Sequence, residues 1–521
     1  SSARRYHEET AHSPQSVRGS GHRLDWETKP LPFKIYPALE PIRLPTELPV
    51  PAADTFAALA PEEAAFGSSV PLDLDRLAAL LYFSAGVTRV KTYPGGPQIH
   101  FRAAPSTGAL YQTEVYVVAG AVEGLPPGVY HFGPGDFSLR QLRSGDFRAA
   151  AATAAADDTI AGQPAVAILS AIYWRNTWKY QARGYRHLFW DAGTLLAQLL
   201  ATARALEIPA RLVTGFVDAR LNGLLGLDPS REGALVAVPL GAAGAPATAP
   251  PVITPLSLEV VPLSSREVDY PLLRDAYDNS SLDSEAEVAD WRAAEWGQVL
   301  HSDIGEPRDR IRLPASRALA GRPLGETIAR RGSTREFSGE AVPVEALASA
   351  LWHATRGFPA DVPTGLVDLY VNVHAVSGLE PGAYVYDREA GGLILLRAGD
   401  VRRASAFLCL EQDLGGASSA TVFFLADLAR VLDRWGNRGY RLANLEAGLI
   451  GGRLYLGAYA QAFGATGLTF YDRAVVDFFS PHASGKDALF VTALGRARKR
   501  QATPLTLNPL TLPSPRRGEG D

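Results

Sequence analysis

Two kinds of periodicity alternate along this chain and predict short strands and amphipathic helices. Apolar runs with strand character lie at EVYVVAG (114–120), AVAILSA (165–171) and ALVAVPL (234–240). A helix is predicted near 146–156, and a long helix begins at Gly184, where apolar residues recur at i, i+3, i+4 and i+7. Segments of this kind favour an α+β fold in which helices pack on a mostly antiparallel sheet.

The same plan occurs a second time in the chain. GYRHLFWDAG begins at Gly184 and GYRLANLEAG begins at Gly439, and both continue as helical patterns. LPPGVYHF near Gly128 matches LEPGAYVY near Gly382, and GALVAVPLG matches DALFVTALG, all at an offset of about 255 positions. A shared offset across separate matches indicates a duplicated domain, so we expect two α+β domains in tandem.

The matches and the composition of the segments between them set approximate boundaries. We predict a leader over 1–50, a first domain over 51–240, a Pro/Ala/Gly-rich linker over 241–265, a second domain over 266–500 and a tail over 501–521. The tail is Pro-rich with a near-repeat, so we expect it to be disordered.

Composition narrows the class of protein. The 521 residues are 46% hydrophobic and 20% charged, which is ordinary for a globular protein. A net charge of −4 gives no general attraction to nucleic acid or to an anionic membrane. Cys409 is the single cysteine and fits a reducing compartment, and no apolar run has membrane-spanning length. We therefore expect a cytoplasmic protein that binds neither nucleic acid nor membrane.

Candidate chemistry is concentrated in IARRGSTREFSG (328–339), ahead of an amphipathic helix. Guanidinium groups such as those of Arg331 and Arg335 bind phosphate bidentately, the Ser333 hydroxyl adds a donor, and Gly332 lets the backbone approach. The alternative is a helix that ends at Arg-Arg with Gly332 as its C-cap, where cations suit the helix dipole. The residues alone leave both interpretations open.

Several segments resemble the nitroreductase superfamily of FMN enzymes, and more narrowly its SagB/ThcOx-type dehydrogenases, which oxidise azolines to azoles in peptides. They are HFRAAPSTGALYQTEVYVVAG (100–120), LPPGVYHF (125–132), KYQARGYRHLFWDAG (179–193) and IARRGSTREFSG (328–339). In that family the flavin lies at a twofold interface and contacts both subunits. The resemblance therefore implies two nitroreductase-like domains that form an intramolecular pseudo-dimer.

The resemblance places the anion-binding residues in the second copy. It implies that Arg331, Ser333 and Arg335 bind the FMN phosphate. Arg496, which follows the last strand, and Gly467 are added as cofactor-binding residues by the same resemblance.

The first copy supplies the other half of the implied site. Lys179 and Tyr180 resemble the catalytic Lys-Tyr pair of the azoline dehydrogenases, in which the lysine would lower the pKa of the tyrosine. Read alone, such a pair is a lysine that packs over a ring. The family's Pro-Ser loop, which contacts the flavin through backbone and small side chains, corresponds to Pro105, Ser106, Thr107 and Gly108.

The two copies differ at these positions. The anion-binding residues of the second copy fall opposite Ala60, Glu62 and Ala64 in the first. The second copy has Arg434-Trp435 in place of the Lys-Tyr pair, and its VPTG string lacks the serine of the Pro-Ser loop. We therefore expect one complete site, with one FMN per chain.

The expected function is an FMN-dependent oxidoreductase with hydride transfer through flavin N5, acting on a small molecule or a peptide. NAD(P)H would bind transiently, since no GxGxxG fingerprint occurs. The motifs DAGT and EAGL lack the histidine expected after Gly193 or Gly448. Nitro- or quinone-type acceptors are therefore as open as azolines for the substrate. A flavin-free pseudoenzyme or peptide-binding module is the alternative, flavin cleavage is a third possibility, and no metal or nucleic-acid partner is expected. Further oligomerisation is left open.

Overall fold

The computed structural model describes residues 1–59, 70–92, 98–249, 251–294, 310–314 and 320–498, and the backbone of 506–507. Its strands are β1 (Ile42–Arg43), β2 (Val87–Thr92), β3 (Gln98–Arg102), β4 (Thr113–Ala119), β5 (Gly128–Gly133), β6 (Ser138–Ser144), β7 (Ala165–Ile172), β8 (Glu232–Leu240), β9 (Arg310–Arg312), β10 (Val342–Pro343), β11 (Asp368–Val373), β12 (Val376–Ser377), β13 (Gly382–Asp387), β14 (Gly392–Ala398), β15 (Ala420–Ala426), β16 (Gly464–Gly467), β17 (Asp487–Gly495) and β18 (Thr506–Leu507).

The α-helices are α1 (Ser2–Glu9), α2 (Pro14–Arg18), α3 (Thr55–Leu59), α4 (Leu74–Ala85), α5 (Arg148–Ala155), α6 (Tyr173–Tyr180), α7 (Gly184–Ala205), α8 (Asp218–Leu225), α9 (Pro271–Asp278), α10 (Glu285–Arg292), α11 (Leu324–Arg330), α12 (Val344–Thr355), α13 (Arg402–Leu408), α14 (Asp413–Ala417), α15 (Leu428–Trp435), α16 (Arg438–Ala460) and α17 (Asp472–Phe479). Within the described ranges, no helix has both the length and the apolar character needed to span a bilayer.

Two antiparallel sheets carry the two copies. The first has the order β1-β6-β5-β4-β7-β8, and the second has the order β16-β17-β15-β11-β13-β14-β9. Strands β6-β5-β4-β7-β8 of the first sheet therefore correspond in order to β14-β13-β11-β15-β17 of the second. Helices cover both sheets, which explains why the central strands β4 and β15 are apolar runs buried along their whole length. The predicted α+β fold and its duplication are confirmed.

The two long helices α7 and α16 pack against each other and join the copies. Gly193 and Gly448, which stand 255 positions apart, lie at the contact. A Cβ atom on Gly193 would lie 2.4 Å from the carbonyl oxygen of Leu445, and one on Gly448 would lie 2.2 Å from that of Trp190. Only glycine permits so close an approach of two backbones. The copies thus pack on each other within one chain, as the predicted pseudo-dimer requires.

The Gly-Tyr-Arg motifs at the start of these helices form reciprocal contacts between the copies. The rings of Tyr185 and Tyr440 are nearly parallel, with centroids 6.2 Å apart. Buried arginines of each copy bind a carboxylate of the other, in the pairs Arg183–Asp472, Arg186–Asp472, Arg438–Asp218 and Arg441–Asp218. Burial alone would raise the pKa of Asp472, but the two arginines hold this pKa well below its usual range. The shared motif therefore serves the framework.

A β-hairpin distinguishes the first copy from the second. Strands β2 and β3 pair between α4 and the Pro-Ser loop, and the backbone of Thr506–Leu507 adds a third strand beside β2. The corresponding stretch of the second copy, between α12 and β11, contains no such hairpin among its described residues. The rest of the predicted tail, and the Ala60, Glu62 and Ala64 positions, lie outside the described residues.

Candidate active site

The arginine-rich segment leaves its helix before the predicted cap. Helix α11 ends at Arg330, and Arg331 has φ −58° and ψ 131°, which is not helical. Gly332 does not have the positive φ that a left-handed glycine cap requires. The interpretation of Gly332 as a C-cap is therefore wrong. Arg330 stays on the exposed side of the helix and pairs with Glu326 at 2.8 Å.

Arg331 turns inward and binds the first copy. Its Nε donates to the carbonyl oxygen of Ala103 at 2.7 Å and its Nη2 donates to that of Arg102 at 3.0 Å. Only 3% of the residue is exposed, and within the described chain no ion pair joins it to a carboxylate. Burial lowers the pKa of Arg331. Its Nη1 donates to the carbonyl oxygen of Gly332 at 3.3 Å. A buried guanidinium without a counter-charge is costly, and these carbonyl groups offset part of that cost.

Arg89, on strand β2 of the first copy, stands beside Arg331 and was not predicted. Its Nη2 donates to the carbonyl oxygen of Arg331, while its Nε is buried and has no hydrogen-bond partner. Burial lowers the pKa of Arg89, and the charge of Arg331 lowers it further. No motif marks this arginine. The signal that could have found it is its position in a stretch that the second copy lacks.

A basic cleft of about 760 Å³ opens next to this pair. Arginines from three parts of the chain line the cleft, together with Tyr459 and Phe463. Arg496, predicted to bind the phosphate, is among them; its Nε donates to the carbonyl oxygen of Ala341 at 3.3 Å and its side chain is exposed. The lining arginines are Arg89, Arg322, Arg330, Arg496 and Arg498.

Ser333 and Gly467 are held together by Tyr455 of helix α16. The Tyr455 hydroxyl lies 3.2 Å from the Ser333 hydroxyl and accepts a hydrogen bond of 2.7 Å from the Gly467 N–H. Gly467 ends the edge strand β16, so the loop after this strand is fixed against the arginine-rich segment. The structure thus brings together these two predicted residues of the second copy.

The Pro-Ser loop is anchored by Asp191 of helix α7. Asp191 accepts hydrogen bonds from the Ser106 hydroxyl at 2.6 Å and from the Thr107 N–H at 2.8 Å. Burial raises the pKa of Asp191 to about 6, and the hydrogen bonds oppose this rise. Thr194 fixes the loop from the other side, because its hydroxyl donates to the carbonyl oxygen of Pro105 at 2.8 Å. The Ser106 and Thr107 side chains thus hold the loop in place.

The second copy repeats this anchor with a different acid. Glu446, which corresponds to Asp191, accepts from the N–H groups of Gly365 at 3.0 Å and Leu366 at 2.9 Å. The acid of the repeated acid-Ala-Gly motif therefore positions a loop in both copies. The sequence shows that this acid occurs in both copies, whereas its role in positioning the loop follows only from the structure.

Lys179 and Tyr180 end helix α6, and Tyr180 faces the Pro-Ser loop. A Cβ atom on Gly108 would lie 2.8 Å from the Tyr180 hydroxyl, so the glycine leaves room for the ring. The Lys179 Nζ lies 5.3 Å from the centre of this ring. The charge of Arg335, an exposed residue of the second copy, acts on the pKa of both Lys179 and Tyr180. Residues of both copies therefore meet here.

The pKa of Tyr180 shifts in the direction opposite to the expected one. Burial raises this pKa, the charge of Asp191 raises it further, and Arg335 opposes the rise. Burial and the charge of Arg335 lower the pKa of Lys179. The expectation that Lys179 lowers the pKa of Tyr180 is therefore wrong. Tyr180 therefore keeps its proton at neutral pH.

The two related α+β domains thus meet at a cleft lined by arginines of both copies, and the charge of Arg335 of the second copy acts on Lys179 and Tyr180 of the first. The chain belongs to the nitroreductase family, whose model matches residues 68–242 and 328–495, one region in each copy. Members of this family are generally oxidoreductases.

The chain is similar to several individual proteins. A nitroreductase-like protein of Methanocaldococcus jannaschii is 30% identical over 174 residues, which are 33% of this chain and 82% of the relative. A solved nitroreductase-like structure from Anabaena variabilis is 28% identical with a TM-score of 0.76, and the match covers 96% of this chain and 100% of that one. One from Ralstonia eutropha is 24% identical over 38% of this chain and 93% of its own, with a TM-score of 0.30. The Anabaena chain thus matches both copies together.

Proposed function

We propose that this protein is an FMN-dependent oxidoreductase that holds one flavin in the composite site between its two copies. The observation that carries the proposal is the buried cation Arg331, which has no carboxylate partner in the described chain and stands beside the unpartnered Nε of Arg89. A terminal phosphate carries nearly two negative charges at neutral pH, and it would supply the missing counter-charge. When bound, the flavin ring would supply the hydride acceptor or donor, at N5.

The residues present suit each part of such a cofactor. Arg331 and Arg89 would hold the phosphate, with Arg335 and Arg496 at the open side and the Ser333 hydroxyl as a neutral donor. The Pro-Ser loop, fixed by Asp191, would present its backbone from the first copy. In a reduction, Tyr180 would give its proton to the substrate, and the positive charge of Arg335 would stabilise the tyrosinate that remains. In azoline oxidation, the tyrosinate would receive the proton that the substrate loses.

The substrate is proposed as a small molecule or a peptide. Azoline oxidation is the narrower form, supported by the Lys179–Tyr180 pair beside the Pro-Ser loop. The second proposed reaction is the reduction of a nitro or quinone compound with NAD(P)H. It is supported because the motifs DAGT and EAGL lack the histidine expected in the azoline dehydrogenases. Turnover of a thiazoline peptide under oxygen, compared with turnover of NADH and a nitroaromatic compound, separates the two forms.

The first test is the absorbance spectrum of the purified protein, followed by the flavin-to-chain ratio after heat release. One FMN per chain supports the proposal. No flavin, even after soaking in FMN, contradicts it and favours a pseudoenzyme or peptide-binding module. Disappearance of FMN during aerobic incubation would instead identify flavin cleavage.

Replacing Arg89 with glutamine should weaken FMN binding by about 10- to 100-fold, because a hydrogen bond to a charged group contributes about 1.5–3 kcal/mol. Riboflavin, which lacks the phosphate, should bind the variant as well as it binds the wild type. Isothermal titration of the flavin-free proteins with both flavins measures the difference. The matched control is Arg330→Gln, which removes an arginine of the same cleft that Glu326 already neutralises. Equal weakening of both flavins would assign Arg89 a structural role only.

Replacing Tyr180 with phenylalanine should slow single turnover by about 10²- to 10³-fold, since a positioned general acid or base contributes an acceleration of this order. Flavin content should not change, because the hydroxyl has no anchoring hydrogen bond among the described contacts. Stopped-flow absorbance with a thiazoline peptide, and with NADH and a nitroaromatic compound, gives the rates. Tyr173→Phe is the control, because it removes a hydroxyl of the same helix that binds Pro229. An unchanged rate in a fully loaded Tyr180→Phe protein would exclude the proton role.

A further inference from the structure

Two related copies that pack about a pseudo-twofold axis create two equivalent clefts. In the proposed cleft, the charge of Arg335 of the second copy reaches Tyr180 of the first, and Ser333 of the same segment shares Tyr455 with Gly467. The counterpart of Tyr180, 255 positions later, is Trp435. The counterpart of Gly467 is Val213, since Val213 bridges to Ala237 as Gly467 pairs with Thr492, and Ala237 and Thr492 are also 255 positions apart.

The second cleft contains helix α10. This helix belongs to the connecting segment, which lies between the two regions that match the family model, 68–242 and 328–495. Trp291 of helix α10 lies in the second cleft, and 8% of the residue is exposed. The indole Nε1 donates to the carbonyl oxygen of Trp435 at 3.2 Å. On the other side, a Cβ atom on Gly215 would lie 2.9 Å from the Trp291 ring. The indole therefore lies between the counterpart of Tyr180 and the loop that follows the counterpart of Gly467.

Arg292 fixes the segment to both walls of the cleft. Its Nε lies 3.3 Å from a carboxylate oxygen of Asp361, two positions before the prolyl residue of the second copy's loop. Its Nη2 donates to the carbonyl oxygens of Gly215 at 3.0 Å and Ala155 at 2.7 Å. Asp361 in turn accepts from the N–H of Gly215 at 2.9 Å. The connecting segment thus bridges both copies at this place.

We infer that the second cleft is a latent site for a flavin ring, and that the connecting segment closes it with the Trp291 indole in the place of the ring. The inference rests on the proposed function of the first cleft. Because an indole and an isoalloxazine are both flat aromatic groups, the two walls that hold Trp291 would suit either group. In the sequence of the first copy, Ala60, Glu62 and Ala64 correspond to Arg331, Ser333 and Arg335 and carry no positive charge. The ligand class is therefore a flavin without a phosphate, such as riboflavin.

The test removes the closing side chains and counts bound flavins. Wild-type holoprotein titrated with riboflavin should stay at one flavin per chain, whereas Trp291→Ala/Arg292→Ala should bind one riboflavin in addition to its FMN. Riboflavin should bind this second place at least tenfold more tightly than FMN does. Equilibrium dialysis with flavin extraction gives both ratios. The control is Trp174→Ala, which empties the place of another buried indole and should bind no additional flavin.

Each outcome bears on one proposal. Two flavins in the wild type, or no additional flavin in a double variant that keeps its FMN, would overturn the latent site. If the double variant loses its FMN as well, Trp291→Ala alone, which keeps Arg292, must show the added riboflavin for the inference to stand. A wild type without flavin would contradict the proposed function, while the difference in riboflavin uptake between wild type and variant would still report on the second cleft.

Discussion

Replacing Arg331 and Arg335 together with alanine should give a protein that purifies without flavin. Arg331 is a buried cation with no carboxylate partner in the described chain, and Arg335 approaches the Lys179–Tyr180 pair from the second copy. Each charge-assisted hydrogen bond contributes about 1.5–3 kcal/mol, so loss of both should weaken FMN binding by about 10²- to 10⁴-fold. The flavin-to-chain ratio after purification, and titration with FMN, measure the effect.

The control variant must remove two positive charges and leave the proposed phosphate-binding residues unchanged. Arg330→Ala/Arg473→Ala meets this requirement, because Glu326 pairs with Arg330 and Asp477 pairs with Arg473 on exposed helix surfaces. Its flavin content should equal that of the wild type. Arg331 also binds carbonyl groups of the first copy, so the thermal midpoint of both flavin-free variants should be recorded. Full flavin occupancy in the Arg331→Ala/Arg335→Ala protein would refute the phosphate assignment.

Local periodicity predicted the helices and strands that depend on local burial. Helices α7 and α16 begin at or next to Gly184 and Gly439, where the apolar spacing of the sequence begins. Strand β7 includes the whole predicted run 165–171. These elements were predictable because their apolar faces repeat at the period of the element itself. The repeat offset then determined which segments of the two copies correspond.

Contacts between distant segments explain what the sequence could not show. Gly332 follows a cationic helix end and has the pattern of a cap, yet the bonds of Arg331 to the first copy determine the backbone there. Arg89 meets Arg331 across 242 positions, and Trp291 meets Trp435 across 144. No local spacing encodes such pairs. The difference between the two copies at the candidate site residues was visible in the sequence, but the indole in the equivalent cleft was not.

The composite site also depends on how closely the two copies approach, which leads to the last prediction. Replacing Gly448 with alanine should lower the apparent free energy of unfolding by about 3 kcal/mol, the upper end for overpacking of a core. The added Cβ would lie 2.2 Å from the Trp190 carbonyl oxygen and 2.7 Å from its Cα, and neither backbone atom can rotate away. Helices α7 and α16 must therefore separate. Urea denaturation followed by circular dichroism measures the loss.

A matched control separates this effect from helix propensity. Gly223 lies inside helix α8, and a Cβ atom there would meet no other atom within 4 Å. Gly223→Ala should therefore be neutral or should stabilise the protein by up to about 1 kcal/mol. Because the first copy supplies the Pro-Ser loop and the second supplies Arg331, helix separation in Gly448→Ala should also weaken FMN binding. Unchanged stability and FMN affinity in this variant would show that the two copies do not need the close helix contact to form the site.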